Sequence, residues 1–291
     1  AVVLDSTAPS LVRFTLDMDA GVLELEFSEA VDSSTLSVDD VVLQGRQTSG
    51  GDVSELGWTG AYALQAASGS AVVTLDGPVQ EVSLGKADVD ALKLRYGVAT
   101  RAGTTLLSFG PGLVQDHAGN SVEGVSSDAA VGAAAFTADA SAPVVTAFEV
   151  SLSGAADDGA ATASGRAAGS VGAVTTVLLS MAFDEPVQGA GLDVSSMELV
   201  SGDGQSYQLG VWSAETRVTA ATATNGSSVD VVLGRSDADA VRAVISLCVS
   251  TSTCQLVHGG GLVQDMAAGA TSRAVVPSPG GGGKSGKKPR S

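Results

Sequence analysis

The chain has 291 residues and a formal net charge of −17, with 44% hydrophobic but only 4% aromatic residues. This acidic balance argues against nucleic acid and anionic lipid as partners, because phosphate groups are bound by basic surfaces. No stretch approaches the roughly 20 apolar residues that span a bilayer, and the sequence starts Ala1-Val2-Val3-Leu4 without a Met or a visible signal peptide. We therefore expect a mature chain or an excised fragment with no membrane insertion.

Three motifs occur twice in the same order, which indicates a tandem duplication. Each repeat opens with an Ala-Pro step, and the two steps lie 134 positions apart, from Ala8 to Ala142. The repeated motifs are Phe27–Val31 with Phe183–Val187, Lys86–Lys93 with Arg235–Arg242, and Gly112–Asp116 with Gly261–Asp265. We predict two domains, residues 1–138 and 139–276, followed by a segment at 277–291.

The predicted elements of repeat one are short strands with turn residues between them. Residues 21–27 alternate apolar and polar side chains, which predicts a half-buried strand with Val22 or Leu23, Leu25 and Phe27 inward. Asp88–Arg95 has acids in its first turn and bases in its last, as expected of a short helix. Further strand candidates are residues 38–43, 62–64, 71–75, 79–84, 106–109 and 112–115.

Repeat two follows the same plan with altered spacing. About 22 residues are inserted early, at 154–172, where Ala, Gly, Ser and Asp show no apolar period; we expect a flexible surface loop at a hairpin tip. The fold class is therefore all-β, as two tandem antiparallel β-sandwiches, each with one short helix.

Residues 277–291 are rich in glycine and lysine and predict a disordered basic tail or linker. Residues 278–285 nearly fit a phosphate-binding loop. They follow Pro277 and lead into a Gly- and Lys-rich stretch ending at Pro289, so neither the preceding strand nor the following helix that such a loop requires is expected.

Cys248 and Cys254 lie only six positions apart without a second cysteine pair or histidine cluster, which favours a local disulfide over zinc. A disulfide implies an oxidising, extracellular compartment. Asn225-Gly226-Ser227 is a glycosylation sequon, which agrees with secretion.

The segment Leu16–Val31 resembles the strand-turn-strand opening of bacterial-type Ig-like repeats, as in S-layer proteins and large secreted surface proteins of bacteria and unicellular algae. Such repeats have a later Asp-x-x-Gly-Asn turn, here Asp116–Asn120; Asp265–Gly269 departs from it, lacking the Asn. The resemblance implies Ig-like sandwiches used for display, spacing or adhesion, with no shared catalytic residues.

Calcium is the principal ligand to consider, since it takes six to eight oxygen ligands from acidic loops. Asp5 and Asp139 precede the two modules, and Asp116, Asn120 and Asp265 lie in the loops that close them. Asp139 could share an ion with Asp116 or Asn120 at the joint between modules. The alternative is that these acids cap turns through their own backbone, with no cofactor.

Neither catalysis nor glycan binding is favoured by the remaining residues. The two histidines, His117 and His258, do not recur at matching positions, so we expect no enzyme. Sugar platforms need exposed aromatic rings, for which the candidates are Trp58 with Tyr62 and Trp212 with Tyr207; in a small sandwich, Trp is more typical of the core.

The sequence thus predicts non-catalytic extracellular or cell-surface modules that act as a spacer, assembly or adhesive unit of a larger surface or matrix protein. The partners are neighbouring modules of the same parent, or proteins or polysaccharides at the cell surface. A calcium- or glycan-binding module is the first alternative, and accessory domains of a secreted enzyme are the second.

Overall fold

The computed structural model describes residues 5–154, 175–210, 215–219, 224–243, 254–259, 261–266 and 284–286. These residues are mainly β, with several antiparallel sheets and few helices. They form two compact units, residues 5–141 and residues 142–266 with 284–286.

The first unit contains two sheets, with strand orders β5-β6-β2-β1-β9 and β4-β3-β7-β8. Its helices are α1 (Gly57–Gly60) and α2 (Lys86–Lys93). Its strands are β1 (Leu11–Asp17), β2 (Val22–Val31), β3 (Val42–Gln44), β4 (Ala61–Ala63), β5 (Ala71–Val72), β6 (Gly77–Ser83), β7 (Leu106–Ser108), β8 (Val131–Gly132) and β9 (Ala135–Thr137).

The second unit also contains two sheets, with strand orders β14-β15-β11-β10-β17 and β13-β12-β16. Its described helix is α3 (Arg235–Ala243). Its strands are β10 (Val145–Gly154), β11 (Thr175–Val187), β12 (Met197–Val200), β13 (Ser206–Gln208), β14 (Arg217–Val218), β15 (Gly226–Leu233), β16 (Gln255–His258) and β17 (Lys284–Gly286).

Alternating side chains build the core of the first unit between its two sheets. On β2, Leu23, Leu25 and Phe27 are all buried, as the alternation predicts. They join Leu43 of β3 and Leu107 of β7 in one apolar cluster, which therefore receives side chains from both sheets. The second unit has a cluster of the same kind.

The two units repeat their strand pairing in detail. In both, the first hairpin carries a register shift near its start, at Leu11/Arg13 and at Val145/Ala147. The edge strand is parallel in both, pairing Thr15 with Ala135 and Glu149 with Lys284. Parallel edge strands were not predicted, because the pairing joins residues far apart in the chain.

Several predicted elements of repeat one need correction. Residues 112–115 form no strand; Gln115 makes only isolated bridges to Asp32 and Ser121. The helix begins two residues earlier than predicted, at Lys86, and a second, four-residue helix, α1, was missed. Strands of two or three residues, such as β8 and β9, are too short to produce a recognisable apolar period.

The inserted segment and the tail each fall only partly within the described residues. β10 pairs with β11 as far as Gly154 with Thr175, so the insertion joins the two strands of a hairpin, while residues 155–174 lie outside the described part. Within 277–291, Lys284–Gly286 pair in parallel with β10, and the disorder predicted for this segment stays a prediction.

A buried hydrogen-bond network also recurs in both units. Tyr62 Oη donates to Asp88 Oδ1 at 2.6 Å, and Ser70 Oγ donates to Asp88 Oδ2 while accepting from Gly85 N. In the second unit, Tyr207, Thr216 and Gly234 make the same bonds around Asp237. Both aspartates are fully buried, so each network ties a helix N-terminus to the neighbouring strands.

None of the helices in the described ranges is long and apolar enough to cross a membrane.

Candidate functional site

A tight turn at Asp116–Asn120 forms one wall of the candidate site. Asp116 Oδ1 accepts hydrogen bonds from the backbone N–H groups of Ala118 and Asn120, each at 2.8 Å. Gly119 has φ +88°, a conformation that favours glycine, and its N–H bonds Asp116 O at 3.1 Å. The Asp-x-x-Gly-Asn sequence therefore fixes the Asp116 carboxylate in place.

Two further carboxylates converge on Asp116. Asp5 precedes β1, and its Oδ1 accepts the Thr7 N–H at 3.0 Å; Glu29 lies near the end of β2. Oxygen atoms of Asp5, Glu29 and Asp116 lie within 4.8 Å of one another. With Ala30, His117 and Ala118 they line a cavity of about 430 Å³.

The pKa values of Glu29 and Asp116 shift in opposite directions. Loss of hydration, followed by the charges of Asp5 and Asp116, raises the pKa of Glu29 above its usual value. The pKa of Asp116 is lowered, chiefly by the hydrogen bond that Asn120 Nδ2 donates to Oδ2 at 2.7 Å. The cluster concentrates negative charge that a bound cation would neutralise.

The second unit has the counterpart of the Glu29–Asp116 pair. Glu185 and Asp265 are both buried, and their carboxylate oxygens lie within 4.8 Å of each other. Gln188 N bonds Gln264 O at 2.8 Å, as Asp32 N bonds Gln115 O in the first unit. In sequence, Asp139 occupies the place in repeat two that Asp5 has in repeat one.

The residues predicted to bind calcium do not all lie in one cluster. Asn120 Nδ2 reaches Asp116 and also Asp5 O, at 3.4 Å, so its amide donor supports the turn. Asp139 forms an ion pair with Lys93 Nζ at 2.8 Å. Asp116 therefore lies with Asp5 and Glu29, and an ion shared with Asp139 stays a prediction.

Sequence reasoning missed both glutamates of these clusters. Glu29 and Glu185 occupy the same place in the repeated Phe-x-Glu motif. That recurrence was the available signal, because two acids kept at one position after a duplication suggest a shared local role.

The other predicted site residues have varied settings. Cys254 is buried beside the second core, but Cys248 lies outside the described residues, so the disulfide stays a prediction. Asn225 is half-buried immediately before β15, and its glycosylation is likewise still a prediction. His117 Nε2 lies 3.3 Å from Asp76 Oδ2, and His258 is buried at the end of β16.

The aromatic candidates separate into exposed and buried rings. The expectation that Trp58 belongs to the core is wrong: 60% of the residue is exposed, because it lies on the short helix α1 at the surface. Tyr62 is buried and Tyr207 is half-buried, each donating to an aspartate, and Trp212 lies outside the described residues.

No protein-family model matches the chain, and no curated protein matches it. Among solved structures, it is similar to the S-layer protein rSbsC, with 11% identity and a TM-score of 0.28. That match covers 69% of this chain and 30% of the S-layer protein. A TM-score this low does not establish a common fold.

Proposed function

We propose that the chain is a pair of non-catalytic, Ig-like β-sandwich modules that act as a spacer or assembly unit of a larger extracellular or cell-surface protein. Its partners would be neighbouring modules of the same parent, or proteins or polysaccharides at the cell surface. A spacer requires modules that keep their shape under load, and a hydrophobic core in each unit meets that requirement.

The observation that carries this proposal is what the two units have in common. They repeat strand order, register shifts and a buried Tyr–Asp network, which are properties of a scaffold. The two histidines, the sequon and the cysteine pair have no counterpart at the matching position of the other repeat. These shared features support the scaffold role, and the absence of catalysis is part of the proposal.

Single-molecule force spectroscopy on the whole chain tests this role. Stretching should give two separate unfolding events of comparable force, each releasing on the order of 40 nm of chain at about 3.6 Å per residue. A control with Leu23→Ala should weaken one event only. Unfolding at negligible force would contradict a load-bearing spacer.

Calcium binding is a second candidate function, favoured by the Asp5–Glu29–Asp116 cluster and its cavity. Carboxylate oxygens are the ligands that Ca²⁺ prefers, and three of them converge here. The corresponding pair Glu185 and Asp265 would serve repeat two. Bound calcium would relieve repulsion between the acids and stabilise the turn that closes each sheet.

Thermal melting in CaCl₂ and in EDTA tests this candidate. Calcium at 100 times its Kd should stabilise the folded chain by about 2.7 kcal/mol. Glu29→Gln should remove the response of the first unit and Glu185→Gln that of the second, while Glu81→Gln on β6 serves as the matched control. Because the pKa of Glu29 is raised, protons should displace the ion as pH falls. Identical melting in both solutions would exclude the site.

A further inference from the structure

Trp58 is held at the surface of the first unit by an unusual stack of side chains. The Arg95 guanidinium carbon lies 4.5 Å from the centre of the Trp58 ring and 4.3 Å from the centre of the Tyr62 ring. Tyr62 is buried, whereas 60% of Trp58 is exposed. The Arg95 cation therefore contacts both the buried Tyr62 ring and the exposed Trp58 ring, and it packs against one face of Trp58.

Arg95 is almost entirely enclosed although it bears a charge. It is 8% exposed, its Nη1 donates to Ala91 O, and its Nε is buried without a hydrogen-bond partner. Burial lowers its pKa below the ordinary arginine value. No ion pair to Arg95 is found among the described residues. Among its described contacts, the two rings are therefore the main ones. Stacking on Arg95 fixes the orientation of the Trp58 ring.

Trp58 remains largely exposed although Arg95 lies over its ring. Gly57 has φ +63°, and a Cβ added there would meet no atom within 4 Å. Gly97 N donates to Thr59 O at 3.1 Å, so the segment that carries Tyr96 runs beside the one that carries Trp58. Tyr96 is 67% exposed. Two exposed aromatic residues thus lie on adjacent segments at one place on the surface.

The size and chemistry of this surface indicate its partner. A stable protein interface needs about 800 Å² on each side, whereas an aromatic side chain supplies only about 150–250 Å². A pyranose ring matches one indole face, because its C–H face is apolar and its hydrogens meet the negative face of the ring. The net charge of −17 disfavours anionic polymers.

We propose that Trp58 is a stacking platform for a sugar ring of a neutral polysaccharide, with Tyr96 beside it and Arg95 as a positioning residue. Because Trp58 already stacks on Arg95, its side chain loses less conformational entropy when a ligand binds, which favours affinity. This site rests on the proposed function and deepens it, because it names a neutral polysaccharide as the partner and Trp58 as the residue that binds it. It would anchor the first module to a polysaccharide layer.

Affinity electrophoresis of the whole chain in gels that contain soluble β-glucan, mannan or xylan tests the proposal. At least one of these polymers should retard the chain, and Trp58→Ala should weaken that retardation about tenfold, as for an aromatic hot spot. Leu75→Ala is the matched control, because Leu75 is 88% exposed on the β5–β6 connection and should leave retardation unchanged. Alginate, an anionic polymer, should not retard the chain.

A fluorescence titration separates positioning from folding. Trp212→Phe leaves Trp58 as the single tryptophan, since the chain has two, and its emission should shift saturably with the polymer that causes retardation. Adding Arg95→Lys should weaken binding severalfold and lower the fluorescence anisotropy of Trp58, while circular dichroism stays unchanged. Absence of retardation by all three neutral polymers, or equal retardation of Trp58→Ala, would overturn the proposal.

Discussion

At the scale of single residues, a buried aspartate organises each unit. Asp88 accepts bonds from Tyr62 Oη, Ser70 Oγ and the backbone N–H of Gln65, which compensates for its complete burial. The sequence suggested only a helix-dipole role for this acid. Its main partners come from positions 18 to 26 residues earlier in the chain, and a local pattern gives no information about them.

Removing the tyrosine hydroxyl should destabilise the first unit. Tyr62→Phe leaves the Asp88 carboxylate buried with one charge-assisted hydrogen bond fewer, so we expect the free energy of unfolding to fall by about 1.5–3 kcal/mol. Urea denaturation measures this loss. Tyr96→Phe, at an exposed position, should change stability by no more than about 0.5 kcal/mol; equal effects of the two substitutions would contradict the role of the network.

The same tyrosine predicts a loss of stability at alkaline pH. Burial, then the Asp88 hydrogen bond, raises the pKa of Tyr62 from its ordinary 10.0 to about 12. The folded state therefore holds this proton more tightly, and the stability that results is present below pH 10 and is lost as pH rises to about 12. Urea midpoints across this range should fall more steeply for the unsubstituted chain than for Tyr62→Phe. Parallel curves would show that Tyr62 makes no such contribution.

The candidate acidic site also depends on tertiary structure at the residue scale. Asp5, Asp116 and Asn120 could be proposed from their turn sequences, because an aspartate that caps its own turn is a local feature. Glu29 could not be selected by its strand alone, since strict alternation along β2 would place it on the same face as Leu23, Leu25 and Phe27, which face the core. The bridge between Asp32, directly after β2, and Gln115 brings Glu29 to Asp116.

At the scale of elements, the main chain directly before helix α2 lies so close to another backbone segment that only glycine fits there. Gly85 precedes α2, and a Cβ added there would lie 1.9 Å from Ser68 O and 2.6 Å from Ser68 C. These are main-chain atoms, which cannot move without disturbing the turn that leads into β5. Glycine is therefore required here by space, although the backbone angles would suit any residue.

Gly85→Ala should consequently destabilise the first unit by about 1–3 kcal/mol, the usual cost of overpacking. Gly103→Ala is the matched control, because no atom lies within 4 Å of the Cβ that it would add; its effect should stay within about 0.5 kcal/mol. Denaturant unfolding of both variants makes the comparison. A neutral Gly85→Ala would mean that the turn at Ser68 is free to shift.

At the scale of the whole molecule, each unit has its own apolar cluster. Leu23 on β2 and Leu179 on β11 hold matching positions in the repeated hairpin, and both are fully buried. Domains with separate cores can unfold separately. The duplication therefore allows the stability of the two units to be compared with matched substitutions.

Leu23→Ala should lower the stability of the first unit by about 2–5 kcal/mol and Leu179→Ala should do the same to the second. Hydrogen exchange read by mass spectrometry separates the two, since protection should fall only within residues 5–141 for the former and only within 142–266 for the latter. Leu75→Ala, at an exposed position, should alter neither. Loss of protection throughout the chain after one substitution would show that the units unfold together.

The sequence by itself determined the features that depend on neighbouring residues. Alternation identified β2, charge order identified α2 within two residues, and the repeated motifs revealed the duplication. Each of these signals arises from the period of a strand or a helix, so it can be recognised without knowing the rest of the chain.

The tertiary structure decided which distant residues meet. It paired β9 with β1 in parallel, brought Glu29 to Asp5 and Asp116, and placed Arg95 between Tyr62 and Trp58 so that Trp58 faces solvent. These contacts depend on how strands stack and on which side chains fill the space between them, which no local pattern encodes. The candidate ligand sites therefore became recognisable only in the folded chain.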